Sequence, residues 1–341
     1  MSTLLFKNYY PKNQNNKQPV ILAGFDLDHT IIKPKSGNIF PKNNDDWILW
    51  NPIVKNKLQE LNDNHLIVIF SNQKKLQSKE GFITKIDNIK KLLNINFIFM
   101  AAMDDDIYRK PRLGMFNHIQ EFLEKDNITI DMKQSFYVGD MAGRKNDKYD
   151  TDLKFAMNMK LNFYTPEEYF LGDKKGNYKL SGYLLNSNKK ENKEIEMNKL
   201  IIISGYPGSG KSYLAKKISG YILLSKDLFG TKFNKKLVEN FELNKNIIVE
   251  GLFPTNKSRE NIKVLADKYN YTTTYIHVNT SYELSYHLNL YRSIYSNGNK
   301  VPEIVYMKYR KDFEPINTND WDYTTEYHPH ISKKINQYFL Y

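Results

Sequence analysis

Cysteine is entirely absent from this 341-residue sequence. Its absence excludes a disulfide framework, a zinc site built on cysteine and a cysteine nucleophile. Long apolar runs are also lacking, since none approaches the roughly 20 residues that a transmembrane helix needs. The first 20 residues are polar and contain prolines, unlike a secretory signal. We therefore expect a soluble intracellular protein, nuclear or cytoplasmic, with no membrane partner.

The charge of the chain is strongly basic. Fifty Lys and Arg residues against 38 Asp and Glu residues give a formal net charge of +12. A basic surface attracts polyanions such as nucleic acids. Codons of an AT-rich genome, which favour Lys and Asn, explain the same composition. Charge by itself therefore leaves the partner open.

The length predicts about two domains, and apolar runs alternate with helical patterns in both halves. Predicted strands are Val20–Phe25, Leu66–Phe70, Phe97–Ala101, Ser135–Val138, Leu200–Ser204, Tyr221–Leu224, Asn246–Glu250 and Thr273–Val278. Predicted helices are Ile53–Leu61, Phe82–Leu93, Met115–Leu123, Ser212–Ile218, Asn256–Tyr269 and Tyr282–Tyr295. Such alternation is typical of an α/β fold, here two doubly wound parallel-sheet domains.

We place the domain boundaries where the alternation of predicted strands and helices stops. Residues 1–19 read as an N-terminal extension and residues 20–172 as the first domain. Residues 173–198 are dominated by charged and amide side chains, which is typical of a linker. Residues 199–341 then form the second domain.

Two carboxylates, Asp26 and Asp28, follow the first predicted strand. Ligands of open parallel sheets bind at the carboxyl ends of strands, and a pair of oxygen ligands there suits Mg²⁺. A carboxylate can also attack phosphorus when a cation neutralises the phosphate and an acid protonates the leaving oxygen. The sequence therefore indicates phosphate chemistry at this position.

Later strand ends supply the other groups that such chemistry needs. Ser71 and Asp140 each follow a predicted strand, Lys110 precedes a proline, and Asp152 lies a little further along. Ser71 or Asp152 alone is better explained as a cap or surface residue. These four candidates follow Asp26 and Asp28 in the order that such a site needs, so coincidence is a poor explanation for all of them together.

A P-loop pattern, G-x-x-x-x-G-K-[ST], follows the first strand of the second half. It reads Gly205, Tyr206, Pro207, Gly208, Ser209, Gly210, Lys211 and Ser212. The glycines let backbone N–H groups face phosphate oxygens, Lys211 reaches the β- and γ-phosphates, and the Ser212 hydroxyl binds Mg²⁺. These residues predict binding of ATP with Mg²⁺.

A kinase also needs a base for its acceptor hydroxyl. Asp227 follows the second predicted strand of this half and is a candidate, with a helix cap as an equally good explanation. Glu250 ends another strand, close to where Mg²⁺ is expected. Arg292 is a candidate for stabilising the transferring charge, although an exposed helix arginine fits nearly as well.

The first-half residues together resemble the haloacid dehalogenase superfamily of phosphohydrolases. The resemblance implies that Asp26 is the nucleophile and Asp28 the general acid/base. It implies that Ser71 binds phosphate and that Lys110 stabilises the intermediate.

The same resemblance implies a magnesium site in the first half. The predicted metal ligands are Asp26, Asp28 and Asp140, with the Leu27 carbonyl. Asp152 is expected to be an outer acidic group.

An aspartate phosphatase followed by a P-loop kinase resembles the bifunctional polynucleotide kinase 3′-phosphatase family. Matches outside the general motifs include Ser36-Gly37, Phe40-Pro41, Trp47, Gly143-Arg144, Lys226-Asp227, Pro254, Arg259 and Phe313-Glu314-Pro315. The resemblance implies a 3′-phosphatase and an ATP-dependent 5′-hydroxyl kinase, with Asp227 activating the hydroxyl. It also implies that the protein acts on nucleic-acid ends, with a ligase acting afterwards. We expect a monomer and favour DNA over RNA, although no residue is seen to recognise a 2′-hydroxyl, so the sequence leaves DNA and RNA open.

The sequence departs from that family at two places, and from the haloacid dehalogenase superfamily at one, His29. Glu250-Gly251-Leu252-Phe253-Pro254 stands where an Asp-Asn-Thr-Asn-Pro run is usual, so kinase substrate contacts are expected to differ. Leu290 stands where a second arginine is common, and His29 where glycine is frequent. Two alternatives stay open: an enzyme of the same chemistry acting on small metabolites, and an end-binding scaffold with a degenerate kinase site.

Overall fold

The apolar runs of the first half form the centre of a six-stranded sheet in the computed structural model. The structure describes residues 3–11, 19–74, 76, 78–185, 191–296 and 298–341. The chain divides into two compact units, Met1–Leu184 with Tyr338–Tyr341, and Leu185–Gln337.

The first unit is a mostly parallel sheet with helices. Its strands are β1 (Leu4–Asn8), β2 (Ile21–Phe25), β3 (Ile32–Lys33), β4 (Ile48–Leu49), β5 (His65–Asn72), β6 (Ile98–Ala102), β7 (Phe136–Val138) and β8 (Asn162–Tyr164). Its helices are α1 (Ile53–Leu61), α2 (Lys79–Leu93), α3 (Gly114–Glu124) and α4 (Thr151–Met159), followed by a π-helical turn at Glu167–Leu171. The sheet order is β1-β6-β5-β2-β7-β8; β3 and β4 pair separately. All neighbours in the large sheet are parallel except β1 and β6.

Both faces of this sheet are covered, which explains why its strands are continuous apolar runs rather than alternating ones. Ala23 and Phe25 of β2 pack into one core cluster, and Leu22 packs into the other. Helix α2 begins where the Ser78 side chain accepts a hydrogen bond from the Gly81 N–H, and ends at left-handed Asn94. Local capping signals and tertiary burial therefore agree here.

The second unit is a five-stranded parallel sheet. Its strands are β9 (Leu200–Gly205), β10 (Ile222–Ser225), β11 (Ile247–Glu250), β12 (Thr273–Val278) and β13 (Tyr323–Tyr327), in the order β10-β11-β9-β12-β13. Its helices are α5 (Lys211–Lys217), α6 (Lys226–Phe229), α7 (Phe233–Glu242), α8 (Asn256–Lys268), α9 (Tyr282–Tyr295) and α10 (Glu303–Asp312), with 3₁₀ turns at Gly230–Lys232 and Thr318–Asp320. The predicted α/β class, with two parallel-sheet domains, is confirmed.

The boundaries of the units differ from the predicted ones at both ends of the chain. The extension predicted for residues 1–19 contains β1, which pairs with β6 as an antiparallel edge strand. Tyr338–Tyr341 follows the second unit in sequence but belongs to the first. Five residues of the predicted linker, 186–190, lie outside the described residues. Within the described part of the chain, no helix is both long and apolar enough to cross a membrane.

The central strand of the second unit offers a test of its core. Ile202 lies in β9 and is completely buried, so Ile202→Ala removes packing and leaves a cavity. We expect the free energy of unfolding to fall by about 2–5 kcal/mol, measured by urea titration. Ile304→Ala is the matched control, because Ile304 is 69% exposed and its truncation changes stability by less than about 0.5 kcal/mol. Equal effects of the two substitutions would contradict the assignment of β9 to the core.

Candidate active sites

The first site lies at the carboxyl ends of β2, β5 and β7. Asp26 directly follows β2, and its backbone N–H donates to the Val138 carbonyl at the end of β7, at 2.8 Å. Ser71 lies near the end of β5, and Asp140 follows β7 closely. Parallel neighbours bring their carboxyl ends to one edge, so residues far apart in sequence meet there.

Lys110 connects the acidic groups of this site. Its Nζ donates to Asp26 Oδ1 at 2.5 Å, to Asp152 Oδ1 at 2.7 Å and to the Tyr137 hydroxyl at 2.9 Å. The side chain is almost completely buried, with 4% of the residue exposed. Burial alone would lower the pKa of Lys110, but Asp152 and Asp26 raise it above its ordinary value. Lys110 therefore remains a cation and neutralises part of the buried negative charge.

Three carboxylates crowd around that cation. Asp26, Asp140 and Asp152 each offer an oxygen within 4.8 Å of the others. Burial, together with Asp152 and the other neighbouring carboxylates, raises the pKa of Asp26 to about 7 and that of Asp140 to about 9. A set of oxygen donors with more negative charge than Lys110 can balance fits a hard divalent cation such as Mg²⁺.

Asp28 is one of the predicted metal ligands, but its contacts in the structure differ from those of Asp26 and Asp140. Gln73 Nε2 donates to Asp28 Oδ2 at 2.5 Å and to Ser71 Oγ at 2.9 Å, and Lys85 Nζ lies 3.8 Å from Asp28 Oδ1. Among the described residues, Asp152 rather than Asp28 groups with Asp26 and Asp140. Asp28 thus lies beside Gln73, which follows β5, and Lys85 of α2, and 34% of its side chain is exposed.

Several residues that support the site carried no assigned role in the sequence analysis. Asn72 holds the backbone of Lys110 through two hydrogen bonds, of 2.9 and 3.2 Å. Tyr137 donates to Asp152 Oδ1 at 2.9 Å. Buried Lys85 lies on the apolar face of α2, between Phe82 and Ile86. A cation within an apolar helical stripe is a signal that could have identified Lys85, because a buried charge requires a partner.

His29, at the position where glycine is frequent in similar phosphohydrolases, has a left-handed backbone with φ of 57°. That conformation explains why glycine suits the position. The His29 ring forms a 2.9 Å hydrogen bond with the Ile39 carbonyl, which fixes the side chain to the neighbouring loop.

The second site is the loop between β9 and α5. Gly208 and Gly210 have φ of 73° and 100°, which an L side chain rarely adopts. Buried Lys211 folds back onto this loop and donates to the Gly205 and Tyr206 carbonyls, at 3.0 and 2.6 Å. Burial lowers the pKa of Lys211 to about 8, although Glu250 and Asp227 act in the opposite direction. A buried ammonium whose hydrogen-bond partners among the described residues are carbonyls is suited to bind phosphate oxygens.

The other kinase candidates gather around Lys211. Glu250 ends β11 beside β9, and its buried Oε2 has no hydrogen-bond partner within the described part of the chain. That oxygen, with the exposed Ser212 hydroxyl at the start of α5, fits a Mg²⁺ ion bound with a nucleotide. Asp227 is exposed in the first turn of α6 and is not its N-cap residue, which is Ser225. Arg292 is exposed on α9 and donates to the Asn299 carbonyl at 2.9 Å, and its charge lowers the pKa of Lys211.

The altered run after β11 is held in place by Arg259. Its Nη1 donates to the Phe253 and Pro254 carbonyls, at 3.1 and 3.0 Å, and its Nη2 to the Glu314 carbonyl at 2.8 Å. Phe253 is buried and has a φ of 40°. Leu290, at the position of the usual second arginine, is buried in α9.

These two sites define a class: a phosphohydrolase unit with an aspartate and lysine centre, followed by a P-loop nucleotide-binding unit. Residues 21–170 match the family model described as Polynucleotide kinase 3 phosphatase. The chain is 35% identical to the Bifunctional polynucleotide phosphatase/kinase of Schizosaccharomyces pombe, over 90% of this chain and 79% of the relative. The chain belongs to the bifunctional polynucleotide phosphatase/kinase family.

Two further relatives show how the match is distributed. The Putative bifunctional polynucleotide phosphatase/kinase of Acanthamoeba polyphaga mimivirus is 33% identical over 88% of this chain and 83% of its own. The Polynucleotide 3'-phosphatase of Saccharomyces cerevisiae is 33% identical over 43% of this chain and 86% of its own. The similarity therefore extends over both units in one relative and over less than half of this chain in the other.

The close packing of Asp152 against Gly139 allows a test of whether Asp152 belongs to the metal site. A Cβ at Gly139 would lie 2.5 Å from Asp152 Cγ, so Gly139→Ala must displace that carboxylate. We expect at least a tenfold rise in the Mg²⁺ concentration needed for half-maximal phosphate release from p-nitrophenyl phosphate. Gly176→Ala is the control, because the nearest atom to its Cβ is 3.4 Å away. An unchanged Mg²⁺ requirement in Gly139→Ala would remove Asp152 from the metal site.

Proposed function

We propose that this protein is a polynucleotide 3′-phosphatase and an ATP-dependent 5′-hydroxyl kinase that restores ligatable ends at DNA strand breaks. The observation that carries the proposal is that one member of this family has two groups of residues suited to phosphoryl transfer. One is built around Lys110 with Asp26 and Asp152, and the other around Lys211 with Glu250 and Asp227.

The phosphatase reaction uses the two aspartates in different roles. Asp26 attacks the 3′-phosphate, forming an acyl-phosphate while the bond to the 3′-oxygen breaks and Asp28 donates a proton to that oxygen. Asp28 then takes a proton from the water that hydrolyses the acyl-phosphate and frees Asp26. Gln73 and Lys85 orient Asp28 for both steps, and Ser71 binds the phosphate. Asp26, Asp140 and Asp152 would hold a Mg²⁺ ion, which would neutralise charge on the phosphate.

Lys110 sets the protonation state of the nucleophile. Burial raises the pKa of Asp26, and the Lys110 ammonium at 2.5 Å opposes that rise. An attacking carboxylate must be deprotonated, so this contact keeps Asp26 reactive near neutral pH. The same ammonium is placed to stabilise charge on the acyl-phosphate.

The kinase reaction depends mainly on placement. The 205–212 loop, with Lys211, holds the phosphates of ATP, and Asp227 accepts the proton of the 5′-hydroxyl as it attacks the γ-phosphate. Ser212 and Glu250 would hold the Mg²⁺ ion that accompanies ATP. Arg292 stabilises the negative charge of the phosphoryl group during transfer. Leu290, at the position of the usual second arginine, is buried and supplies no second cation.

A basic cleft beside the phosphatase site supports a nucleic-acid substrate. It has a volume of about 500 Å³, and the exposed ring of Tyr149 lies in its lining. The charged side chains that line it are four cations, Arg144, Lys145, Lys148 and Lys179, and two carboxylates, Asp147 and Asp150. It adjoins the site because Arg144, which also lines it, donates to the Asp140 carbonyl at 2.8 Å. Cations with an exposed aromatic ring suit a single strand with unstacked bases.

Four further points belong to the proposal. The protein prefers DNA to RNA, is monomeric, acts in the nucleus or the cytoplasm, and is followed by a ligase that seals the repaired ends.

Substitutions in either site should separate the two activities. Asp26→Asn removes the nucleophile and should lower 3′-phosphate release at least a thousandfold, with the kinase rate unchanged within twofold. Lys211→Ala should do the reverse, because it removes the phosphate-binding cation. End-labelled oligonucleotides measure both rates, and each variant is the control for the other. Continued 3′-phosphate release by Asp26→Asn would show that another group is the nucleophile.

A panel of substrates should establish the polynucleotide specificity. We expect short 3′-phosphorylated DNA to compete with p-nitrophenyl phosphate, more strongly than RNA of the same sequence and less strongly as salt rises. Lys148→Glu together with Lys179→Glu should weaken this competition tenfold or more, while hydrolysis of p-nitrophenyl phosphate changes less than twofold. Absence of DNA competition at low salt would favour a small-metabolite substrate instead.

A further inference from the structure

The segment Tyr338–Tyr341 belongs to the first unit although it follows the whole second unit in sequence. Phe339 and Leu340 are buried, with 6% and 3% exposed. The Phe339 N–H donates to Asn158 Oδ1 at 2.9 Å, and Asn158 Nδ2 donates back to the Phe339 carbonyl at 2.8 Å. This reciprocal pairing fixes the segment against α4.

Two buried cations of the first unit also bind carbonyls of this segment. Arg112 Nε donates to the Leu340 carbonyl at 3.0 Å, and Lys154 Nζ donates to the Tyr341 carbonyl at 2.8 Å. Arg112 is 3% exposed and Lys154 is 1% exposed. The Lys154 ammonium also lies over the rings of Phe339 and Tyr341. Both cations also form ion pairs within the unit, Lys154 with Asp150 at 3.0 Å and Arg112 with Asp105 at 2.8 Å. The carbonyls of the segment therefore add to the partners of two side chains that the unit already holds in place.

The same three side chains flank the residues of the phosphatase site. Arg112 lies two residues after Lys110, and Lys154 lies two residues after Asp152 on α4. Asn158 Nδ2 also donates to the Pro111 carbonyl, at 2.7 Å. Asn158 thus joins the turn that carries Lys110, the helix that carries Asp152, and the backbone of the segment.

We propose that Tyr338–Tyr341 is a positioning element of the phosphatase site. By joining the 110–112 turn to α4, the segment keeps Lys110 Nζ within hydrogen-bond distance of both Asp26 and Asp152. The phosphatase thereby depends on residues that follow the kinase in the chain. This inference rests on the roles proposed above for Lys110 and Asp26.

The test uses the full chain and a variant that ends at Gln337. We expect the truncation to lower kcat for 3′-phosphate release at least tenfold, with KM within threefold and both kinase constants within twofold. Phe339→Ala with Leu340→Ala, at full length, should lower the same kcat by threefold or more. This milder variant decides the question if the truncated chain does not fold. Ile304→Ala, an exposed apolar truncation, is the control and should change neither activity.

Two comparisons make the outcome specific. Lys110→Ala should lower the phosphatase kcat by more than the truncation does. If it leaves kcat unchanged, the assigned role of Lys110 fails, and the positioning role of the segment, which acts through Lys110, fails with it. If Lys110→Ala is inactive while the folded truncation keeps full kcat, the positioning role is refuted. A parallel fall of both activities with the unfolding temperature would also refute it, because the segment would then serve stability alone.

Discussion

The ammonium of Lys110, buried among carboxylates, is the interaction on which the phosphatase unit depends. Burial opposes a charge on Lys110 and on Asp26 and Asp152 alike, and the short contacts among them offset that cost. An arrangement of this kind tolerates little displacement, because removing one partner leaves another charge unpaired. Asn72 and Tyr137 hold the lysine and Asp152 in place through further hydrogen bonds.

The kinase unit also contains a buried lysine, but with different partners. Lys211 is buried too, but its hydrogen-bond partners are loop carbonyls, and burial lowers its pKa. For Lys110, in contrast, the neighbouring carboxylates outweigh burial and raise the pKa. Its acidic neighbours, Glu250 and Asp227, come from the ends of adjacent parallel strands. The first site is thus organised around charge pairs already present in the protein, and the second around charges that a nucleotide brings.

Much of the fold could be predicted because the strands are buried on both faces. Thr273–Val278 and the helices Ile53–Leu61 and Tyr282–Tyr295 have the bounds that their apolar patterns predict. Strand β1 could not be predicted in this way, since five residues at a sheet edge give too weak a pattern. Helix α4 was missed because its apolar periodicity is interrupted by buried Asp152, Lys154 and Asn158.

The sequence alone determined which residues are proposed to carry the chemistry, because Asp26-Leu27-Asp28 and the 205–212 loop are local motifs defined by residue type and spacing. Tertiary structure decided which carboxylates share a site. Asp152 joins Asp26 and Asp140 because Gly139 leaves room for it, while Asp28 turns to Gln73 and Lys85. It also decided that Tyr338–Tyr341 packs in the first unit. Such pairings depend on distances across the sheet and between distant segments, which no local pattern encodes.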